Sequence, residues 1–538
     1  MARPNLITYL VMSLLFLGTT STTAIGQIIY VNADATGANN GASWLDAFNY
    51  LQDALAIAQA GDEIRVAQGF YKPDRGRSNR PGDRKSTFQL INNVTIKGGY
   101  AGFDEPDPNT RDTTAYETIL SGDLGINSSY HVVTGSRTDA TAVLDGFTIT
   151  AGNADGGYMK EYGGGMYNEN GSPTLNRCTF RANSALQGGG MHNNNSSPIL
   201  TNCTFIKNEA EWYGGGMANY YGSSPTLTNC AFIENYTLVW GSGGMHNDSN
   251  SSPTLTNCTF SGNYVNAWAG GIGNYISNPV LINCRFNANT AGHGGGGINN
   301  GSDSSPILIN CTFNTNFGGE GGGMRNKGTA TLINCTFAGN SAEYYGGGMH
   351  NTDQSDPILT NCTFSDNSAP NGNALACNSF KQKYPSNLQL TNCILWDGGN
   401  EIWNNDNSVI TITYSDVEGG WPGEGNINID PYFADPNNGD FHLKSQAGRW
   451  DPNKQSWVQD DVTSPCIDAG DVNSPIGFEP CPNGGRVNMG AYGGTAQASK
   501  SYFGSQICTT SDVEDINGDC TADFVDFAIM VSHRLEEK

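Results

Sequence analysis

Between Gly163 and Asn367 the apolar positions fall neither at helical spacing nor in long alternating runs. They come as short β-prone pieces, such as TLTNCAF, PILINCTF and ATLINCTF, separated by Gly, Asn, Ser and Pro. One pattern is written eight times: a glycine cluster, Met or Ile, a variable residue, Asn, a Ser/Pro turn, an apolar piece, then N-C-T-F-x-x-N with small variations. Cys178, Cys203, Cys230, Cys258, Cys284, Cys311, Cys335 and Cys362 mark the beat. Their seven intervals span 184 residues, a period of about 26. A constant period of that length, without hairpin turns, predicts coils stacked as parallel strands, each touching only its neighbours.

Within C-T-F the first and third residues share a face, so Cys230 and Phe232 point inward and the residue between them outward. Leu227 has the opposite parity, so a bend at Asn229 is needed to turn both inward. Three asparagine columns accompany the cysteines. They follow the Met or Ile (Asn168 to Asn351), precede the cysteine (Asn202 to Asn361), and follow the phenylalanine (Asn183 to Asn367). Asn tolerates left-handed bends, and stacked amides can bond up a ladder at roughly 4.8 Å spacing, so the expected role is structural.

The F-x-x-N and GGGM motifs resemble the repeats of chlamydial polymorphic outer-membrane proteins, and the whole resembles right-handed parallel β-helices of the pectate-lyase type. The resemblance implies an all-β solenoid. That fold carries lyases, hydrolases, epimerases, adhesins and inert stalks alike, so it leaves activity open.

The flanks complete the predicted organisation. Residues 1–26 read as a secretory signal, with Arg3, an apolar run from Leu6 to Leu17 and an expected cut before Gln27. That run is too short to span a bilayer, so an exported chain acting outside the cell or at its surface is expected, with no membrane span after cleavage. Residues 27–157 form the N-terminal cap and first rungs. Ser43 with Asp46 has capping-box spacing, and Trp44, Phe48, Leu51, Leu55 and Ala58 make one face of a helix that Gly61 stops. Residues 158–367 hold the eight repeats and 368–419 the last rungs. Residues 420–500 (GNINIDPYFADPNNGDFHL, SPCIDAG, RVNMGAYGG) resemble the choice-of-anchor Q region of secreted bacterial proteins, which implies an anchoring device after it. In 501–538, Asp515, Asn517, Asp519, Thr521, Asp523 and Asp526 stand at ligand positions of a calcium loop, and Phe527–Leu535 can form its exiting helix. The loop resembles a dockerin repeat, which implies calcium and a cohesin-like partner. Cys520 replaces the usual glycine, and one repeat is present where dockerins carry two.

Charge narrows the partners. The chain carries a net −24, yet 158–367 hold 7 Lys/Arg against 12 Asp/Glu, so most of the acidity lies elsewhere. No basic stripe suits nucleic acid. The inward cysteines, extended by Cys393, suggest a reduced ladder. Cys466 with Cys481 and Cys508 with Cys520 are expected disulfides. Each N-C-T is formally a glycosylation sequon, a reading set aside because the column is expected to face inward.

Chemistry is sought where the repeat varies. Before the glycines stand Tyr162, Tyr213, Trp240, Trp268, His293 and Tyr345, with Trp212 and Tyr344 beside them and Glu161, Glu211, Glu320 and Glu343 interleaved. Rings at rung spacing can stack on sugar faces, or on each other. After the methionine comes a second outward column: Tyr167, His192, Ala218, His246, Gly273, Asn299, Arg325, His350. Its histidines lie at least two rungs apart, too far for one zinc ion. Glu320, Arg325, Glu343 and His350 form the best catalytic cluster, with Glu320 and Glu343 as the carboxylate pair of a hydrolase or Arg325 and His350 serving a lyase. The expected function is a secreted or cell-surface scaffold that binds polysaccharide, or adheres, through its aromatic edge. The alternatives are a polysaccharide lyase or glycoside hydrolase, and a passive structural protein.

Overall fold

A computed structural model describes residues 26–501. The signal segment, apart from Gly26, the six calcium-loop residues and Cys508 with Cys520 lie outside the described residues.

Each repeat folds into one turn of a coil with four sides, so its strands join four parallel sheets of 14, 13, 12 and 8 strands. We call the sides by their inward residue: Leu, Phe, Met and Ala. Register between turns is residue on residue, with Leu175 opposite Leu200, Phe180 opposite Phe205 and Met166 opposite Met191. Identical side chains therefore stack, and Leu, Cys, Phe and Met fill a continuous, fully buried core. The phenylalanine rings from Phe180 to Phe364 lie nearly parallel, their centroids 4.4 to 5.1 Å apart.

The predicted bend is present. The asparagine before each cysteine, from Asn202 to Asn361, has φ between 51 and 54°, which turns Leu on one side and Cys on the other inward. The same bend points the asparagine itself away from the core. Asn202 and Asn229 are exposed, so the inward placement used above to set the sequons aside does not hold for the asparagine. The other two columns are buried amide ladders. Asn193 Nδ2 donates to Asn219 Oδ1 at 2.8 Å, and Asn208 Nδ2 donates both to Asn235 Oδ1 at 2.9 Å and to Phe180 O at 2.8 Å. The glycine cluster is dictated by crowding between turns: a Cβ on Gly190 would lie 2.5 Å from Gly216 O.

The cysteines stand as thiols, each near the leucine carbonyl of the preceding turn, as with Cys284 Sγ and Leu255 O at 3.6 Å. Burial pushes the Cys203 thiol well above its ordinary range. We expect the ladder from Cys178 to Cys393 to be silent to a water-soluble disulfide reagent in the native protein and to react fully in denaturant. Fast native-state reaction at any rung would show that the core opens there. Cys466 departs from expectation: it is buried and donates to Asp416 Oδ2 at 3.1 Å rather than bonding to Cys481. Its sulfur sits inside an apolar cluster with Phe433, Phe441, Leu443 and Met489.

The N-terminal helix also differs. It spans Leu51–Ile57, eight residues later than the expected cap. Ser43 and Asp46 do bond to each other, the Asp46 N–H donating to Ser43 Oγ at 3.1 Å, but they close a local turn. Trp44 packs outside the core against Tyr30 and Tyr100, while Phe48, Leu51 and Leu55 cover the first rungs.

At the other end, residues 420–501 fold back along the coil. Two short antiparallel pairs form there, Phe433–Asp435 with Asp440–Leu443 and Arg449–Asp451 with Ser456–Val458. A strap at 488–497 then lies against the corner between the Leu and Phe sides.

Candidate functional site

The variable columns meet at the corner between the Ala and Met sides. The residue after the methionine does face away from the core, yet it is not exposed. His192, His246, Arg325 and His350 are all buried, because rings from the turn before the glycines fold over them. Tyr162 stacks on His192 at 4.8 Å, Tyr213 lies 4.7 Å from His246, and Tyr345 lies 5.2 Å from His350. Tyr167 is sandwiched between His131 and His192. Burial lowers the His192 pKa to about 3, so this ring is neutral packing. Strand periodicity tells which side a residue takes; it does not tell whether a neighbouring turn covers it.

All but one of the remaining aromatic candidates stay open to solvent. Trp212 is 41% exposed, Trp240 49% and Tyr344 48%, and His293 is also exposed. Leu238 and Val239 extend the patch beside Trp240. Trp268 is half-buried on Val265, Ala267 and Ala291, with the Arg325 guanidinium 5.7 Å above its ring. The tryptophans thus form a row that leads from turn to turn toward Arg325.

There the row ends in a hollow of about 520 Å³, lined by Glu320, Arg325, Lys327, Tyr345, His350 and Asp353 and walled by the loop from Asn378 to Gln382. The bulge that places Glu320 opposite Tyr345 turns its carboxylate into this hollow. Arg325 Nε donates to Glu320 Oε2 at 2.6 Å and its Nη1 to Asn299 Oδ1 at 3.4 Å. His350 Nε2 lies 3.3 Å from the Asn378 carbonyl and its Nδ1 faces Glu320 Oε2 at 3.5 Å, and both of these oxygens can only accept. Lys327 pairs with Asp353 at 2.8 Å, and Tyr345 also stacks on Trp403 at 5.2 Å. Lys327, Asp353 and Trp403 were not singled out from sequence. Lys327 sits two residues beyond Arg325 on the same side, which is the one signal that points to it.

Burial alone would raise the Glu320 pKa, but the facing His350 and Arg325 hold it down to about 2. Asp353 is likewise lowered by Lys327 and the Phe380 N–H against the opposing effect of burial. Both carboxylates are ionised at neutral pH. Glu343, the other member of the expected carboxylate pair, is exposed beside Tyr344 and does not line the hollow. The structure therefore brings together Glu320, Arg325 and His350 and leaves Glu343 outside.

A family model described as right handed beta helix region matches residues 125–281. Its fold is the right-handed parallel β-helix. A second model, described as disaggregatase related, matches residues 356–470 of the β-helix end and the region folded back on it. Among solved structures, the chain is similar to the crystal structure of pectate lyase Pel9A, at 13% identity over 88% of this chain and 97% of that one, with a TM-score of 0.36. It is also similar to a rhamnogalacturonan lyase, at 12% identity over 70% of this chain and 89% of that one, with a TM-score of 0.31. No curated protein sequence matches. No helix among the described residues is long and apolar enough to cross a membrane.

Proposed function

We propose that the β-helix is an extracellular glycan-binding scaffold whose site is the corner between the Ala and Met sides. The observation that carries this is the row of rings, Trp212 and Trp240 open and Trp268 half-buried, running turn by turn toward the hollow at Glu320 and Arg325. Successive turns are roughly 4.8 Å apart, so a sugar chain lying along the axis meets a new ring at each turn. Its apolar faces stack on the rings, and its hydroxyls meet the Glu320–Arg325 and Lys327–Asp353 pairs. Because each cation in those pairs is matched by an anion, they suit hydroxyl groups better than a fixed charge.

Hydrolysis is not favoured. Retaining and inverting glycosidases both need one protonated carboxyl group beside an ionised one, and Glu320 and Asp353 are both held ionised.

Binding to arrayed and insoluble polysaccharides tests the proposal. Trp212→Ala and Trp240→Ala are each expected to weaken binding about tenfold, with thermal stability little changed because both rings are exposed. Absence of binding to any glycan, or binding indifferent to both substitutions, would sink the aromatic edge. Release of unsaturated or reducing ends from a bound polysaccharide, lost in Glu320→Gln, would instead make the hollow an active site.

A further inference from the structure

The other corner of the coil, between the Leu and Phe sides, carries a different site. Along it run the outward asparagines at the bends and, two residues on, an outward column of Thr259, Arg285, Thr312, Thr336 and Thr363. Part of this corner is already occupied. The strap presents its carbonyls to the asparagines, two for each amide. Asn361 Nδ2 donates to Asn488 O at 2.9 Å and Gly490 O at 3.3 Å, and Asn334 Nδ2 donates to Ala491 O at 3.0 Å and Gly493 O at 2.7 Å. The Ala491 N–H in turn donates to Thr363 Oγ1 at 2.9 Å. The chain thus binds a polypeptide on its own ladder, at residues that recur every turn.

Beyond the strap the ladder continues, uncovered by any other described residue. A groove of about 620 Å³ runs from Tyr492 and Gln497 at the strap's end over Thr336, Thr312, Arg285 and Thr259, flanked by Asn310, Asn283 and Asn257. Farther from the strap the amides satisfy one another, Asn283 Nδ2 donating to Asn257 Oδ1 and Asn257 Nδ2 to Asn229 Oδ1, both at 3.2 Å. Asn310 stands between the two regimes. It is exposed, and its amide donates neither to Asn283 nor to the strap. Arg285 is exposed in the same groove and has no ion pair among the described residues.

We propose that this groove is a binding site for a polypeptide segment supplied in trans, held as the strap is held: two backbone carbonyls on Asn310, two on Asn283 in exchange for its bond to Asn257, small residues at the close approach, and an acidic side chain on Arg285. The strap, NMGAYGG, sets the template, since Gly and Ala let the backbone come within hydrogen-bonding distance of the bend. The Asn310 donors otherwise face water and Asn283 exchanges one partner for another, so the contact is modest per turn and adds along the ladder. The site lies on a different corner from the aromatic row, and its fate does not depend on glycan binding.

A fluorescein-labelled peptide with the sequence of residues 487–498, extended by two aspartates, titrated into the intact protein by anisotropy, tests this. Saturable binding is expected, weakened at least about fivefold by Asn310→Gly or Asn283→Gly. Glycine removes the amide and keeps the left-handed bend, so both variants should fold. Asn229→Gly, on the same column outside the groove, is expected to bind normally. No saturable binding, or binding that ignores both groove substitutions, overturns the proposal. Binding of oligosaccharides that the same two substitutions abolish also overturns it, by assigning the groove to a glycan.

Discussion

Asn263→Ala is expected to destabilise the protein by about 4 kcal/mol or more, as is alanine at the equivalent ladder positions Asn235 and Asn289. The Asn263 side chain is fully buried and makes four hydrogen bonds. Its Nδ2 donates to Phe232 O and Asn289 Oδ1, each at 2.9 Å, and its Oδ1 accepts from Asn235 N and Asn235 Nδ2, each at 3.0 Å. Alanine leaves groups on both neighbouring turns unpaired in a dry interior, and each orphan costs about 1–3 kcal/mol. Asn229→Gly, the same residue type at an exposed bend with φ of 54°, should cost less than about 1 kcal/mol, because glycine adopts that conformation freely. Equilibrium urea unfolding of the two variants decides the matter. A loss below about 1 kcal/mol for Asn263→Ala would mean that the ladder is not what holds the turns in register.

Asp397→Asn is expected to stabilise the protein at alkaline pH and to leave it unchanged in acid. Asp397 stands where the next asparagine of the buried ladder belongs: its Oδ1 accepts from Asn367 N at 2.6 Å and Asn367 Nδ2 at 2.9 Å. Its backbone N–H donates to Glu401 Oε1 at 2.9 Å, while Asp397 Oδ2 and Glu401 Oε2 are buried without a partner. Burial, and then the charge of Glu401, raises the Asp397 pKa; burial is also the main cause of the raised Glu401 value. A carboxyl whose folded pKa exceeds its unfolded one contributes stability below the unfolded value, and that contribution is lost as pH rises through the folded value. Wild-type stability should therefore fall from acid toward alkaline pH across that window. Asparagine keeps the Oδ1 acceptor for Asn367, removes the buried charge and flattens the dependence. Thermal unfolding at intervals from about pH 4 to pH 9 should show a gain of several degrees for the variant at the alkaline end. A variant less stable than wild type at about pH 8 would show that the carboxylate is used, for instance to hold a cation.

Much of the scaffold is legible in the residues because stacking imposes the same demand on every turn. Cys and Phe face inward by parity, the bend at Asn229 and its equivalents follows from Leu and Cys having opposite parity, and late rungs at LQLTNCILW and VITITYSDV form strands as read. What failed were inferences in which one local pattern has two structural outcomes. Ser43 with Asp46 satisfies a capping box, yet the same bonds close a turn, and Trp44 is drawn to Tyr30 and Tyr100 on an outer surface instead of lying along a helix. Cys466 has the composition of a disulfide partner and the surroundings of a core residue.

The site divides in the same way. Sequence placed Glu320, Arg325 and His350 on neighbouring turns, and stacking in register brought them together. It also placed Glu343 one turn from Glu320, but a bulge and strand parity turn Glu343 to solvent. It read the residue after each methionine as open surface, whereas Tyr162, Tyr213 and Tyr345 cover that column. Least legible of all is the strap, whose bonds to Asn334 and Asn361 join residues 127 to 159 apart in the chain. A repeat determines what each turn does to its neighbour, because that interaction recurs and leaves a periodic mark in the residues. Which bends are then covered by a distant segment and which stay open is decided by a single, non-recurring contact, and only the tertiary structure records it.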